Sequence, residues 1–219
     1  MIARILFLLV VGIAVLAGTA AEDGNAAAQS GGVEIVSTSS YESITGSLHL
    51  VGEVANNTES TIEYVKIIVA YYAADGALVA TDFTYTEMDE LQPGETSPFD
   101  ILTIDPPAGI DRHELLVEYD DTRQAPLRGF ETSVGSVRTS SIGSLRITGE
   151  VQNNTGVAAE YVKVIAALYD ADGRVIRVDF TFSERDEIEP GGRSPFEVLI
   201  IDAPAYSSYK LWVDGLRVD

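Results

Sequence analysis

Apolar and polar side chains alternate along several short segments of the chain, and residues that favour turns follow each segment. Between Leu48 and Val54, apolar residues or glycine take every second position, which is the pattern of a strand with one buried face. The segment from Tyr64 to Tyr72 is rich in valine, isoleucine and tyrosine, which favour strands. Asp75-Gly76 then supplies the residue types of a tight hairpin. The same reasoning predicts further strands at Val33–Ser37, Leu78–Tyr85, Phe99–Ile104 and His113–Tyr119.

The stretch from Leu48 to Asp105 recurs 97 positions later, from Leu145 to Asp202. Both copies contain NNT, EYVK, DFT and SPF at equivalent positions. Such a repeat indicates two structural units, each with its own core. The strands predicted for the second unit are Phe130–Val137, Leu145–Val151, Tyr161–Tyr169, Val175–Phe182, Phe196–Ile201 and Tyr209–Val213.

Six or seven short strands per copy predict an all-β fold of two tandem immunoglobulin-like or fibronectin-III-like β-sandwich domains. The chain has no cysteine, so the Cys–Trp–Cys core of antibody domains is absent, and Trp212 lies on a late strand. The predicted organisation is a signal segment at 1–21, a flexible linker at 22–32, a first sandwich at 33–120, a linker at 121–129 and a second sandwich at 130–219.

The amino terminus has the pattern of an export signal. Arg4 precedes an uninterrupted apolar run from Ile5 to Ala17, and small residues follow up to Ala21. An uncleaved anchor is the alternative, because the apolar stretch is near the lower limit for spanning a bilayer. Both alternatives place the repeats outside the cytoplasm, with the membrane contacted only through this segment.

The chain has 219 residues and a formal net charge of −20. A surface this acidic repels nucleic acid and anionic lipid and favours solubility. We therefore expect no nucleic-acid partner. Without cysteine, no disulfide can stabilise either repeat.

In the second repeat, Leu168-Tyr169-Asp170 ends a valine-rich strand, GEVQNN precedes it, and a Pro-Gly turn and Ser194-Pro195-Phe196 follow it. With these motifs the repeat resembles the FxLYD domain family. The resemblance implies small β-sandwich modules on exported or envelope proteins of prokaryotes, without an established catalytic activity. The chain departs from the motif at Ala166, where the family has phenylalanine, and the first repeat keeps only Tyr72 of the LYD triplet.

Chemistry that is essential to the module should occur in both copies, and the histidines fail this test. His49 aligns with Arg146, and His113 falls where the second copy has Ser208 or Tyr209. We expect both histidines to face solvent. Serine, histidine and acid never recur together, which argues against a hydrolase triad and against any enzyme, and no zinc-ligand spacing occurs.

Acidic residues near the Pro-Gly turns do recur. Carboxylates in a loop are suitable Ca²⁺ ligands, although a solvated acidic loop is the alternative, and we expect no cofactor otherwise. Asn56-Asn57-Thr58 and Asn153-Asn154-Thr155 have the form of glycosylation sequons and are also turn residues. The calcium candidates are Asp82, Glu87, Asp89, Glu90, Asp179, Glu184, Asp186 and Glu187.

One strand differs less between the copies on its outer face than on its inner face. The inner positions from Val65 to Tyr71 change to other apolar residues in the second copy, whereas the outer positions are identical. Aromatic residues beside a cation suit a protein contact. Alternatively, this face is also buried, or the duplication is recent. The partner-binding candidates on this stripe are Tyr64, Lys66, Tyr72, Tyr161, Lys163 and Tyr169.

The sequence as a whole predicts an exported, non-catalytic protein that acts at the cell envelope as a spacer, adaptor or protein-binding module. Its partner would be an envelope or extracellular protein. The alternative is a calcium- or glycan-binding adhesion module that uses the acidic loops or the tyrosine stripe.

Overall fold

A computed structural model describes residues 25–26 and 29–218 of the chain. The predicted signal segment lies outside the described residues. Within the described part, the fold is all-β, as predicted. None of the described residues form a helix of the length and apolarity needed to cross a membrane.

The first repeat folds into two facing sheets. Strand β5 lies between β6 and β9 in one sheet, with β1 beside β9 and β7 also paired to β5; the other sheet has the order β2-β3-β4-β8. Its strands are β1 (Asn25–Ala26), β2 (Gln29–Ser30), β3 (Val33–Glu42), β4 (Leu48–Asn56), β5 (Thr61–Tyr72), β6 (Leu78–Tyr85), β7 (Glu90–Leu91), β8 (Thr96–Thr103) and β9 (Arg112–Thr122).

Strands β1 and β2 come from the segment predicted to be a linker. Strand β1 pairs parallel to β9, and β2 pairs antiparallel to β3. Because each has only two residues, the alternation that marks a strand in a sequence is not visible in them.

The second repeat has the same architecture. Strands β10-β11-β15 form one sheet, and β12 lies between β13 and β16 in the other, with β14 also paired to β12. Its strands are β10 (Phe130–Thr139), β11 (Leu145–Asn153), β12 (Ala159–Tyr169), β13 (Val175–Phe182), β14 (Glu187–Ile188), β15 (Arg193–Ile200) and β16 (Ser208–Arg217).

The core of each repeat lies between its two sheets. In β5 the predicted inner residues Val65, Ile67, Val69 and Tyr71 are at most 1% exposed. A phenylalanine ring of the neighbouring strand in the same sheet lies directly over a glycine in each repeat: a Cβ added to Gly52 would lie 2.5 Å from Phe99 Cζ. The glycine is therefore required for the close approach of the ring.

A buried asparagine ends strand β4 and its equivalent β11. Asn56 has no exposed surface; its Nδ2 donates to the carbonyls of Ser60 and Leu91, and its Oδ1 accepts from Thr58. Asn153 makes the same set of bonds in the second repeat. The asparagine of each sequon is thus a buried turn residue in the folded chain, where a glycan has no room.

The two repeats pack against each other. Four apolar residues of the second repeat belong to the same buried cluster as the first-repeat core: Ile165, Ala167, Val175 and Val178. Strand β13 contacts β3, β4 and β8. The outer face of the β12–β13 sheet therefore covers the outer face of the β3–β4–β8 sheet.

Candidate interaction surfaces

The predicted stripe lies on the outer face of β5 in the first repeat, where it is open to solvent. We call the outward side chains of β5, β6 and β9 the first stripe face. Tyr64 is 64% exposed, and Phe83 and Leu116, which pair with Ile68 on the two flanking strands, are 53% and 50% exposed. Lys66 Nζ lies 4.2 Å from the centre of the Phe83 ring. An aromatic and apolar surface beside a cation is thus presented to solvent.

The equivalent outer face of β12, β13 and β16 is the second stripe face, and the first repeat covers it. Ile165 and Ala167 have no exposed surface, whereas their equivalents Ile68 and Ala70 are partly exposed. The alternative that the outer face is also buried is therefore realised in the second repeat only.

The polar residues of the second stripe face bind the first repeat. Lys163 Nζ lies 2.5 Å from Glu87 Oε2 and donates to the Glu87 carbonyl. Tyr169 donates its hydroxyl proton to Glu53 Oε2 at 2.7 Å. Of the second-repeat candidates, these two have their partner within the chain. Tyr161 is 65% exposed, and its binding to a separate partner stays a prediction.

Glu53 is the acceptor at the centre of this contact. Its side chain is 10% exposed, and Lys210 Nζ lies 2.9 Å from its Oε1. Burial alone would raise the pKa of Glu53, but hydrogen bonds with Thr96, Tyr169 and Lys210 outweigh burial and hold the pKa below its usual value. Burial and the bond to Glu53 raise the pKa of Tyr169. The pair therefore stays a charged acceptor and a neutral donor.

Arg128, in the predicted linker, binds residues of both repeats and forms a second contact region. Its guanidinium binds both oxygens of Glu95 at 2.8 and 2.9 Å and donates to the Glu90 carbonyl at 2.7 Å. It also donates to Asp214, whose other oxygen accepts from the Asp89 amide. The segment that joins the repeats is thus held to both of them.

A third contact region surrounds a cavity of about 340 Å³ between the repeats. Tyr41 stacks on His49 with ring centres 4.5 Å apart. The guanidinium carbon of Arg177, from the second repeat, lies 3.4 Å from the centre of the Tyr41 ring. His49 Nδ1 is 2.9 Å from Asp100. Burial raises the pKa of Asp100, and burial and Asp100 raise that of Tyr41 to about 12.

The expectation that both histidines face solvent is wrong. The His49 side chain is 18% exposed and paired with Asp100. His113 packs against Tyr71 at the edge of the core, and among the described residues its buried Nε2 has no hydrogen-bond partner. Both side chains are enclosed by neighbours in space, and the alternation of polar and apolar residues in the sequence does not reveal such neighbours.

The calcium candidates do not come together into a site. In the part of the chain that the structure describes, no group of three or more acidic or histidine side chains could hold a metal ion. Glu87 is paired with Lys163. Asp82 and Asp179 accept from the next backbone amide in their own strands. Burial and the charges of Asp214 and Asp89 raise the pKa of Glu90. The other four, Asp89, Glu184, Asp186 and Glu187, are exposed.

A groove beside the first exposed tyrosine occurs in both repeats. Tyr64 and Tyr161 have positive φ angles of 51° and 50°, a left-handed conformation that is uncommon for a tyrosine. The cavity beside Tyr64 measures about 310 Å³ and is also lined by Tyr85 and Asp89. The cavity beside Tyr161 measures about 590 Å³ and has Phe182 and Asp186 at the equivalent positions.

Comparisons with known proteins assign no family to this chain. No protein-family model matches it, and no curated protein matches its sequence. Among solved structures, red sea bream transglutaminase is similar, with 8% identity, a TM-score of 0.27 and coverage of 85% of this chain. The match spans 29% of the transglutaminase chain, and a likeness at this level carries no functional assignment.

Proposed function

We propose that the protein is an exported, non-catalytic chain of two β-sandwich repeats that acts at the cell envelope as a spacer, adaptor or protein-binding module. One observation carries the proposal: the same outer face is covered by protein in the second repeat, where Ile165 and Ala167 are fully buried, and is open in the first repeat. A face that forms a protein contact once has the composition to form it again.

The sequence supports export and placement at the envelope. The apolar segment within residues 1–21 has the organisation of a signal, and the strongly acidic surface suits a soluble exported domain. The resemblance to the FxLYD family, which stays a proposal, leads to the same placement. The protein would contact a membrane only through residues 1–21, if they are retained.

The repeat itself supports a role without catalysis. Neither histidine has an equivalent in the other copy. His49 pairs with Asp100 and stacks on Tyr41, whose ring contacts Arg177 of the second repeat. The residues that do recur, Tyr64, Lys66 and Tyr72 with their equivalents, are those of a contact surface rather than of a reaction centre.

Two measurements test the proposal. Residues 1–32, fused to a phosphatase reporter that is active only after export, should yield active reporter; an inactive reporter would contradict export. Residues 22–219 should capture an envelope partner in a pull-down, and Lys66→Glu/Tyr72→Ala should lose it. Arg123→Glu, the same charge change at an exposed linker residue, is the matched control. Equal capture by both variants would exclude the stripe.

The repeated grooves favour a second candidate function, glycan binding. Each groove has an exposed aromatic ring beside a carboxylate, Tyr64 with Asp89 and Tyr161 with Asp186, and ligand sites combine apolar walls with a few polar groups. Envelope polysaccharides should then raise the melting temperature, and Tyr64→Ala/Tyr161→Ala should abolish this. The same titration with Ca²⁺ tests the metal-dependent form of this alternative.

A further inference from the structure

The contact between the two repeats defines two complementary surfaces, and each repeat has both. We call the outer face of β3, β4 and β8 the first cradle face; the outer face of β10, β11 and β15 is the second cradle face. The second stripe face occupies the first cradle face. The first stripe face and the second cradle face take no part in this contact, and both remain open to solvent.

We propose that the first stripe face binds the second cradle face of another copy of this chain, so that the contact within the chain is repeated between chains. The proposal deepens the proposed function, on which it rests, by naming the partner. The model for this interface is the contact between the two repeats within one chain. The partner, a second copy, has the same fold and carries a cradle face equivalent to the one that a stripe face already binds.

The key polar pairs have counterparts on the two open faces. Within the chain, Lys163 binds Glu87, and the equivalent residues are Lys66 and Glu184. Glu184 is exposed and Lys66 is partly exposed. A second copy docked in the same way would bring this ammonium and this carboxylate together.

The tyrosine contact is also retained. Tyr169 donates to Glu53 within the chain, and the equivalents are Tyr72 and Glu150. The side chain of Glu150 is 50% exposed, and one of its oxygens accepts from Arg193 at 3.3 Å. The carboxylate is therefore accessible to an incoming hydroxyl group.

A third contact differs between the copies, because Lys210 has an acidic equivalent in the first repeat. Within the chain, Lys210 Nζ donates to Thr96 at 2.7 Å. Lys210 pairs with Ala167 across its sheet, as Glu114 pairs with Ala70 in the first repeat. Thr96 is replaced by Arg193. Between chains, the exposed Glu114 would thus face the exposed Arg193, which attracts it. It would also face Glu150, the equivalent of the Glu53 carboxylate that Lys210 binds within the chain, which repels it.

The exposed apolar side chains of the first stripe face lie at positions whose equivalents in the second repeat are buried or partly buried. Leu116, at the position of the partly buried Trp212, is 50% exposed, and Leu78, at the position of the fully buried Val175, is 56% exposed. Docking would remove these side chains from water.

The stripe and cradle are different surfaces, so the contact is heterologous and leaves a free stripe and a free cradle after each addition. Such contacts form open chains unless a rotation closes them. The contact between chains lacks Arg128 and the covalent linker, which supplies a high effective concentration within the chain. We therefore expect it to be weaker than the internal contact.

Salt should promote this assembly. Each copy has a net charge of −20, and the long-range repulsion between copies is screened as ionic strength rises, whereas short contacts within an interface are screened less. Sedimentation velocity on residues 22–219 should show oligomers that increase with protein concentration and with added sodium chloride. A chain that stays monomeric up to about 1 mM at all salt concentrations would overturn the proposal.

A charge exchange tests the interface itself. Lys66→Glu and Glu184→Lys should each weaken self-association at least tenfold, because the first variant opposes two carboxylates and the second opposes two ammonium groups. A mixture of the two variants should assemble, since every stripe then meets a cradle of opposite charge. Unchanged melting temperatures would show that both variants are folded. Oligomers that neither variant weakens, or a mixture that stays monomeric, would overturn the proposal.

The two proposals fail in different ways. A monomeric wild-type chain that still captures another envelope protein through Lys66 and Tyr72 would retain the protein-binding function and exclude the second copy as the partner. An inactive export reporter would exclude the placement at the envelope while leaving the sedimentation result intact.

Discussion

Two buried asparagines show how much a single residue contributes to each repeat. Asn56 and Asn153 each tie the end of a strand to two backbone carbonyls and to the following threonine. No other side chain of similar size offers two donors and an acceptor in this arrangement. The identity of the asparagine in both copies thus follows from its hydrogen bonds.

Replacing Asn153 should destabilise the second repeat. Asn153→Ala leaves the carbonyls of Val157 and Ile188 without their donor in a buried site, so we expect the free energy of unfolding to fall by about 2–4 kcal/mol. Chemical denaturation provides the measurement. Asn154→Ala, at the exposed neighbouring residue, is the control and should change stability by less than about 0.5 kcal/mol. Equal losses would contradict the assignment.

Protonation of His113 makes the free energy of unfolding depend on pH. Burial lowers the pKa of His113 in the folded state below its usual 6.5. The unfolded chain therefore binds the proton more readily, and stability is lost as pH falls from about 6.5 towards the lower folded pKa. Denaturation between pH 7 and pH 5 should show this loss, and His113→Leu should reduce the slope. An identical slope in both proteins would exclude His113 as the cause.

At the scale of the element, paired strands depend on a glycine that lets an aromatic ring approach the backbone. In β11, a Cβ on Gly149 would lie 2.4 Å from the Ser133 carbonyl oxygen and 2.8 Å from Phe196 Cζ. The ring can turn, but the carbonyl belongs to the neighbouring strand. The β10–β11 pair cannot keep its spacing with a larger residue here.

Gly149→Ala should therefore cost about 1–3 kcal/mol of unfolding free energy, as overpacking does. Gly135→Ala on β10 is the matched control, because its Cβ would meet nothing closer than the Thr148 carbonyl at 3.7 Å. Thermal denaturation of both variants measures the difference. A Gly135 variant as unstable as the Gly149 variant would show that glycine is needed for backbone flexibility rather than for space.

The sequence predicts the strands and the inner face, but not which outer face is covered. The inner residues of β5 and β12 follow from alternation, and the buried Val65 and Val162 confirm it. The outer residues Ile68 and Ile165 are identical in type, as are the other outer residues of their own strands, yet only Ile165 is fully buried. Local patterning contains no information on this difference, since the packing of the other repeat causes it.

At the scale of the whole molecule, the two repeats share one buried cluster and are joined by polar contacts at three places. Glu53 is at the centre of the first contact region and Arg128 at the centre of the second. The Tyr41–His49 stack and Glu87 line the cavity of the third. Separating the repeats would expose the shared apolar surface. We therefore expect the wild-type chain to unfold in one cooperative transition with a fixed arrangement of the repeats.

Ala167→Glu tests this coupling, because it places a carboxylate at a fully buried residue of the second stripe face. Burying an unpaired charge costs several kcal/mol, so the repeats should separate instead. Calorimetry should then show two transitions, and small-angle scattering a larger radius of gyration. Ala70→Glu, the same change on the open first stripe face, is the control and should leave both measurements unchanged in dilute solution. If Ala167→Glu also leaves them unchanged, the repeats do not depend on this contact; if both variants unfold, the strand rather than the docking surface requires alanine.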